Sequence, residues 1–155
     1  MRIEIPGYKS MDLKHLILDY NRTIAKDGII SEGVKERLKK LSGIYEIYVL
    51  TADTHGTARK MCEGLPLKIQ TFPGNAAAEE KRKIIERLGE KRCIAVGNGR
   101  NDLLMCEKAE LSVGIIGAEG AYGRLIANVD ICTRSIEDAL DMLAIPKRVV
   151  ATLRG

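Results

Sequence analysis

The sequence predicts an α/β fold: a doubly wound, mainly parallel sheet in three layers, with helices on both faces. Three observations carry that expectation. Apolar runs of strand length alternate with helical segments along the 155 residues, the pattern of an α/β sheet. The runs are continuously apolar rather than alternating, as in strands covered on both faces. Polar residues close several of them, and in such sheets ligands bind at the carboxyl ends of the strands.

In chain order, "HLILDY" (15–20) is the first such run; it delivers Asp19 to its end, and a turn-rich tail with Asn21, Thr23 and Gly28 follows. In "SEGVKERLKKLSG", Val34, Leu38 and Leu41 share one helical face and Gly43 is a stop signal. "EIYVLT" ends on Thr51, with Asp53 just beyond, and "TARKMCEG" reads as a helix. "LKIQTF" is a weaker strand, and "NAAAEEKRKIIERLG" is a helix opening at Asn75 and closing at Gly89. "RCIAVGN" ends on Asn98, followed by Asn101 and Asp102. "LSVGIIG" and "VDICT" are the last strands, and Ser135, three residues before Asp138 in "SIEDALDML", marks a helix start. The basic tail "PKRVVATLRG" is expected to be a docked or frayed terminus. No repeat, linker or low-complexity tract interrupts the chain, so residues 1–155 are expected to form one domain.

Composition narrows the function classes. The formal net charge of +4 suits anionic substrates without pointing to nucleic acid. With 4% aromatic residues and no Trp, a base-stacking platform is not expected. No apolar stretch reaches the ~18 residues that span a bilayer, and the first ten residues lack an apolar signal core. A cytoplasmic protein without membrane segments is therefore expected. Cys62, Cys93, Cys106 and Cys132 are dispersed, with no CxxC, and read as reduced thiols. His15 and His55 are too far apart in sequence to suggest a zinc site. The doublets Lys39-Lys40 and Lys91-Arg92 are expected on solvated surface near helix ends.

Each polar strand end, alone, has a plain structural explanation. A strand-final Asp is often a cap or turn residue, Thr51 could cap a helix, and "GNGRND" could be a polar turn. That segment is neither a P-loop nor a GxGxxG fingerprint. Together, four segments in order resemble the haloacid dehalogenase superfamily of aspartate-dependent phosphotransferases, and within it the capless, soluble relatives of P-type ATPase phosphorylation domains. "DYNRT" matches D-x-x-x-T, "LTADTHGTA" matches T-G-D-x-x-x-T-A with Ala52 for Gly, "EEKRKII" resembles the lysine motif, and "VGNGRNDLLM" resembles G-D-G-x-N-D with Asn98 for the first acid.

The resemblance implies Asp19 as nucleophile, and Thr51, Lys81 and Asn101 as contacts to the phosphoryl oxygens. It implies Mg2+ held by the Asp19 carboxylate, the Asn21 backbone carbonyl and the fourth motif, Asn98 and Asp102. A carboxylate nucleophile splits one difficult transfer into two steps through an aspartyl phosphate. The rest of the catalysis is positioning and charge neutralisation, and magnesium suits all-oxygen donors.

Two departures bear on rate. Superfamily phosphatases usually place a second Asp two residues past the nucleophile, for proton transfer; this chain has Asn21. An amide carries out neither proton transfer at neutral pH, and such help is typically worth ~10²–10⁴-fold, so slow turnover is expected. Asn98 removes one negative charge from the metal site, so Asp102 is expected to carry more of a weak affinity for magnesium, directly or through water. The stretch between Asp19 and Thr51 has room only for a flap, a helix and a strand, so no cap domain is expected. A capless site makes a homo-oligomer plausible, with a phosphorylated small molecule or macromolecule as substrate. A different class remains open: a catalytically weak phosphate- or phosphoprotein-binding regulatory module on the same scaffold.

Overall fold

The computed structural model describes residues 1–53 and 56–155. Six strands form one parallel sheet: β3 (His15–Asp19), β4 (Glu46–Thr51), β5 (Lys68–Thr71), β6 (Cys93–Gly97), β7 (Leu111–Ile115) and β8 (Ile131–Thr133), in the spatial order β5-β4-β3-β6-β7-β8. All six expected strands are present, the weak "LKIQTF" included. The order turns at β3: the chain first moves outward through β4 and β5, then returns to β6 on the other side and proceeds to β8. A crevice opens at such a switch point, between the carboxyl ends of the two central strands. Here those ends carry Asp19 and Asn98.

Alternate residues of the strands feed two cores, which explains their unbroken apolarity. Leu16 and Leu18 of β3, with Ile94 and Val96 of β6, pack against α1 (Glu32–Leu41) and α6 (Ile136–Ala144). Ile17, Leu50, Cys93 and Ala95 face the opposite way, onto α3 (Ala77–Leu88), α4 (Leu103–Lys108) and α5 (Gly123–Asn128). The result is the expected three-layer arrangement. The α1 stripe is the one read from the sequence, with Val34, Leu38 and Leu41 buried and the Ser31 hydroxyl accepting from the Val34 amide. Ser135 caps α6 likewise, through the Asp138 amide. Lys39 and Lys40 lie exposed in the last turn of α1.

Two features go beyond that reading, an unforeseen hairpin and the helical form of the expected docked tail. The N-terminus is an antiparallel hairpin, β1 (Arg2–Ile5) and β2 (Lys9–Asp12), whose Ile3, Ile5 and Met11 join the first core. The Pro6-Gly7 pair between two short alternating runs was its sequence signal. The basic tail is a helix, α7 (Pro146–Leu153), docked by fully buried Val149. Between β3 and β4 lie only a flap (residues 20–30) and α1, and β4 leads into α2 (Thr57–Met61) and β5, so among the described residues no cap domain stands over the crevice.

Candidate active site

Asp19 is the last residue of β3, so strand geometry fixes its Cα while its carboxylate reaches the crevice. It is 7% exposed. One carboxylate oxygen accepts from Lys81 Nζ at 2.7 Å and the other from the Thr23 hydroxyl at 3.3 Å. The buried face of α3 is Ala77, Lys81, Ile84 and Ile85, so Lys81 occupies a core position and is only 2% exposed. Its ammonium also donates to Asp102 Oδ1 at 2.7 Å and Asn101 Oδ1 at 3.0 Å. Three acceptors match its three donors.

Asp102 is fully buried. Its second oxygen, Oδ2, accepts from the backbone amides of Asn98 and Gly99, each at 3.0 Å, and so ties down the loop after β6. This packing requires Gly97: a Cβ there would lie 2.5–2.6 Å from the Asp102 carboxyl and its Cβ. Asn98 is buried too, and its side-chain oxygen accepts from Thr23 at 3.4 Å. The Thr23 hydroxyl thus sits between Asp19 and Asn98. Thr51, 3% exposed, ends β4; its neighbour Leu50 is paired in register with Asp19.

The flap is a compact loop. The Tyr20 amide donates to Leu50 O, the Ala25 amide to Tyr20 O, and the Arg22 amide to Ala25 O. Its tip is a Lys26–Ile29 bridge turning through Asp27 (φ 52°) and Gly28 (φ 78°), the left-handed pair that a tight hairpin turn demands. The Tyr20 hydroxyl holds Gly28 O at 2.7 Å.

These parts enclose an open cavity of about 1150 Å³, lined among others by Asp19, Asn21, Thr51, Lys81, Asn98 and Asn101. Burial, then the nearby Asp102 charge, pushes the Asp19 carboxyl up to about 7, against the pull of Lys81 and Thr23. Burial opposes the charge of Lys81, but Asp19 and Asp102 outweigh it and hold the ammonium above its ordinary value. Two carboxylates share one cation, so the interior has no positive charge to spare.

Of the residues picked from sequence, Asp19, Asn21, Thr51, Lys81, Asn98 and Asn101 all line the one cavity. Asp102 is not among the residues lining the cavity. Both its oxygens are committed, to Lys81 and to two amides. It braces the site from behind rather than facing into it. Asp53 does not converge on the crevice either; its carboxylate accepts from the Ala58 and Arg59 amides at the start of α2. His15 opens β3 at the opposite pole, 3.2 Å from Glu46, and His55 lies outside the described residues.

Sequence reasoning left out of its site list Thr23, which D-x-x-x-T already displayed, and Gly97, whose need appears only once Asp102 is packed over it. It also missed Arg22, Arg100, Glu119 and Tyr122 around the mouth. Arg100 lay in plain view as the variable position of the fourth motif. Nothing in the sequence marked Glu119 or Tyr122.

The haloacid dehalogenase-like hydrolase family model matches residues 4–110. The chain belongs to this family. An uncharacterised protein of Methanocaldococcus jannaschii is 44% identical over 78 residues, covering 48% of this chain and 84% of the relative. A protein described as a soluble P-type ATPase-like phosphatase, from the same organism, is 25% identical over 123 residues, 77% of this chain and 45% of that protein. The fold is also that of the cobalt-bound deoxy-D-mannose-octulosonate 8-phosphate phosphatase of Haemophilus influenzae: TM-score 0.69 and 16% identity, covering 90% of this chain and 92% of the other. The Moraxella catarrhalis 3-deoxy-D-manno-octulosonate 8-phosphate phosphatase, crystallised with magnesium, phosphate and the sugar acid, gives 0.65 at 15% identity, covering 92% and 94%. The chain is thus a hydrolase of the haloacid dehalogenase type, the class to which these phosphatases belong. Among the described residues, no helix is long and apolar enough to cross a membrane.

Proposed function

We propose that this hydrolase acts on phosphate esters through an aspartyl phosphate on Asp19, with magnesium, and that its turnover is slow. The supporting observation is the Asp19 carboxylate in the cavity with Lys81 Nζ 2.7 Å away. In the first half-reaction an Asp19 oxygen attacks phosphorus, an acyl phosphate bond forms, and the P–O bond to the leaving group breaks. In the second, water attacks that phosphorus and the Asp19 carboxylate departs. Lys81, the Thr51 hydroxyl and the Asn101 amide are the groups available to the phosphoryl oxygens, where negative charge resides. Asp102 is a positioning residue: it orients Lys81 and fixes the loop that carries Asn98.

The donors suit a hard cation. The Asp19 carboxylate and the Asn98 side-chain oxygen are held together by the shared Thr23 hydroxyl, Asn21 lines the same cavity, and no His or Cys lines it among the described residues. Magnesium, when bound, supplies charge neutralisation for the transferring group. With Asp102 committed elsewhere, Asp19 is the carboxylate left to bind it, so the affinity is weak, about the millimolar range of poor oxygen-ligand sites.

Asn21 provides no proton to the leaving group and takes none from water, which favours slow breakdown of the acyl phosphate. A phosphate-binding regulatory module would share this geometry, and Asn21 with Asn98 is the observation that keeps it in play. Para-nitrophenyl phosphate hydrolysis with magnesium, compared between wild type and Asp19→Asn, separates the two. Release abolished by the substitution supports the enzyme; equal rates reject it. Asn21→Asp is expected to raise turnover by about 10²-fold or more, the usual worth of general acid–base help.

A further inference from the structure

The cavity is larger than a phosphoryl group needs. About 1150 Å³ exceeds the ~300–1,000 Å³ typical of small-molecule pockets, so it has room for more of a substrate than the phosphoryl group. The carbon portion has Phe72, Leu104 and Tyr122 to rest against. What it carries beyond carbon is set by the charges of the rim.

Those charges are unequal in freedom. Lys81, held by Asp19 and Asp102, belongs to the phosphoryl end of the site. Arg22, on the flap, is bridged to Glu119 at 3.1 Å. Arg100 lines the cavity, is exposed, and makes no ion pair among the described residues. It is also well placed. Its neighbours Asn101 and Asp102 both hold Lys81, and Asp102 pins the amides of Asn98 and Gly99. The base of Arg100 is therefore rigid while its guanidinium is uncommitted, the fork that suits a carboxylate or phosphate. Asp27, at the flap's turn, is the rim's counterweight, and a substrate bearing a cation would be drawn there instead.

We infer that Arg100 is a specificity-determining residue, and that the substrate is a phosphate ester carrying a second anionic group, which Arg100 receives. The inference rests on the phosphatase reading of the same site, so its test measures binding apart from turnover. Four phosphonates, which resist hydrolysis, are titrated calorimetrically with magnesium: propylphosphonate, 3-phosphonopropionate, propane-1,3-bisphosphonate and 3-aminopropylphosphonate. The two with a second anion are expected to bind wild type roughly 10- to 100-fold tighter than propylphosphonate, the range of a charged hydrogen bond. Whichever of the two binds tighter tells a carboxylate from a second phosphate. The advantage should collapse to near unity in Arg100→Gln and partly persist in Arg100→Lys.

An equal affinity for propylphosphonate, a preference for the aminopropyl compound, or an advantage undiminished in Arg100→Gln overturns the inference. In each case Asp19-dependent turnover leaves the phosphatase reading standing. Conversely, an Arg100-dependent preference with turnover unaffected by Asp19→Asn keeps the anion site and rejects the chemistry. If none of the four binds, there is no phosphate site, and both fall.

Discussion

Lys81 and Arg82 are consecutive residues of α3, and each holds two carboxylates. Lys81 bridges Asp19 and Asp102, both at 2.7 Å, with side chains 2%, 10% and 0% exposed. Arg82 bridges Glu79 and Glu86 with side chains 30%, 55% and 36% exposed. The contacts are alike and the surroundings are not. Removing one partner of a buried network leaves a charge with no water to solvate it, whereas exposed pairs contribute little because solvent and salt screen them. A hundred-degree step around one helix separates a site from a surface. The comparison teaches that the ion pair itself does not set Lys81 apart; burial of its cation on the apolar face does.

The largest expected effect tests that contrast directly. Lys81→Met keeps most of the side chain's length and removes its charge, leaving Asp19 and Asp102 without the cation between them. Thermal or urea unfolding should show a loss of about 3–5 kcal/mol, together with loss of para-nitrophenyl phosphate turnover. An unchanged unfolding midpoint would sink the view that the network is dry.

Next comes Gly97→Ala. With a Cβ 2.5–2.6 Å from the Asp102 carboxyl, either Asp102 or the strand must shift, at a typical overpacking cost of about 1–3 kcal/mol. Magnesium-dependent turnover should fall more than stability does, because Lys81 and the Asn98 loop lose their brace. Equal turnover in this variant and wild type would show that Asp102 does not position them.

The thiols give a milder probe. Cys62, Cys93 and Cys106 are buried while Cys132 is exposed, and burial raises all three buried thiols above their ordinary range. An aromatic disulfide reagent should label Cys132 first, the others following only on unfolding. In Lys81→Met, Cys106 should label sooner because the destabilised core opens more often, even though losing the Lys81 charge pushes its thiol further up. The smallest effect belongs to Arg82→Ala, for which no resolvable change in midpoint is expected, at low salt or at 1 M sodium chloride.

Much of this was legible beforehand. Continuous apolar runs announce strands covered on both faces, and the parallel sheet followed. Lys81 was legible only through the resemblance of "EEKRKII" to a lysine motif; its core position between Ala77 and Ile84 came from the structure. Asp102 was legible as an acid just past a strand end, but its hydrogen bonds to Lys81 and to the Asn98 and Gly99 amides were not. Sequence spacing offers a carboxylate and says nothing of which oxygen an amide has already taken. The hairpin β1–β2 was missed because its strands have four residues each, too few for the alternation to stand out.

By itself, then, the sequence determined the layers and the polar residues at the strand ends, because apolar periodicity and strand-end polarity are local properties that the chain carries before it folds. Only the tertiary structure decided how one ammonium is divided between two carboxylates, why Gly97 has no side chain, and which arginine at the mouth is unengaged. Those depend on distances between segments far apart in the chain, and in a close-packed interior an ångström determines whether a carboxylate faces the cavity or the backbone behind it.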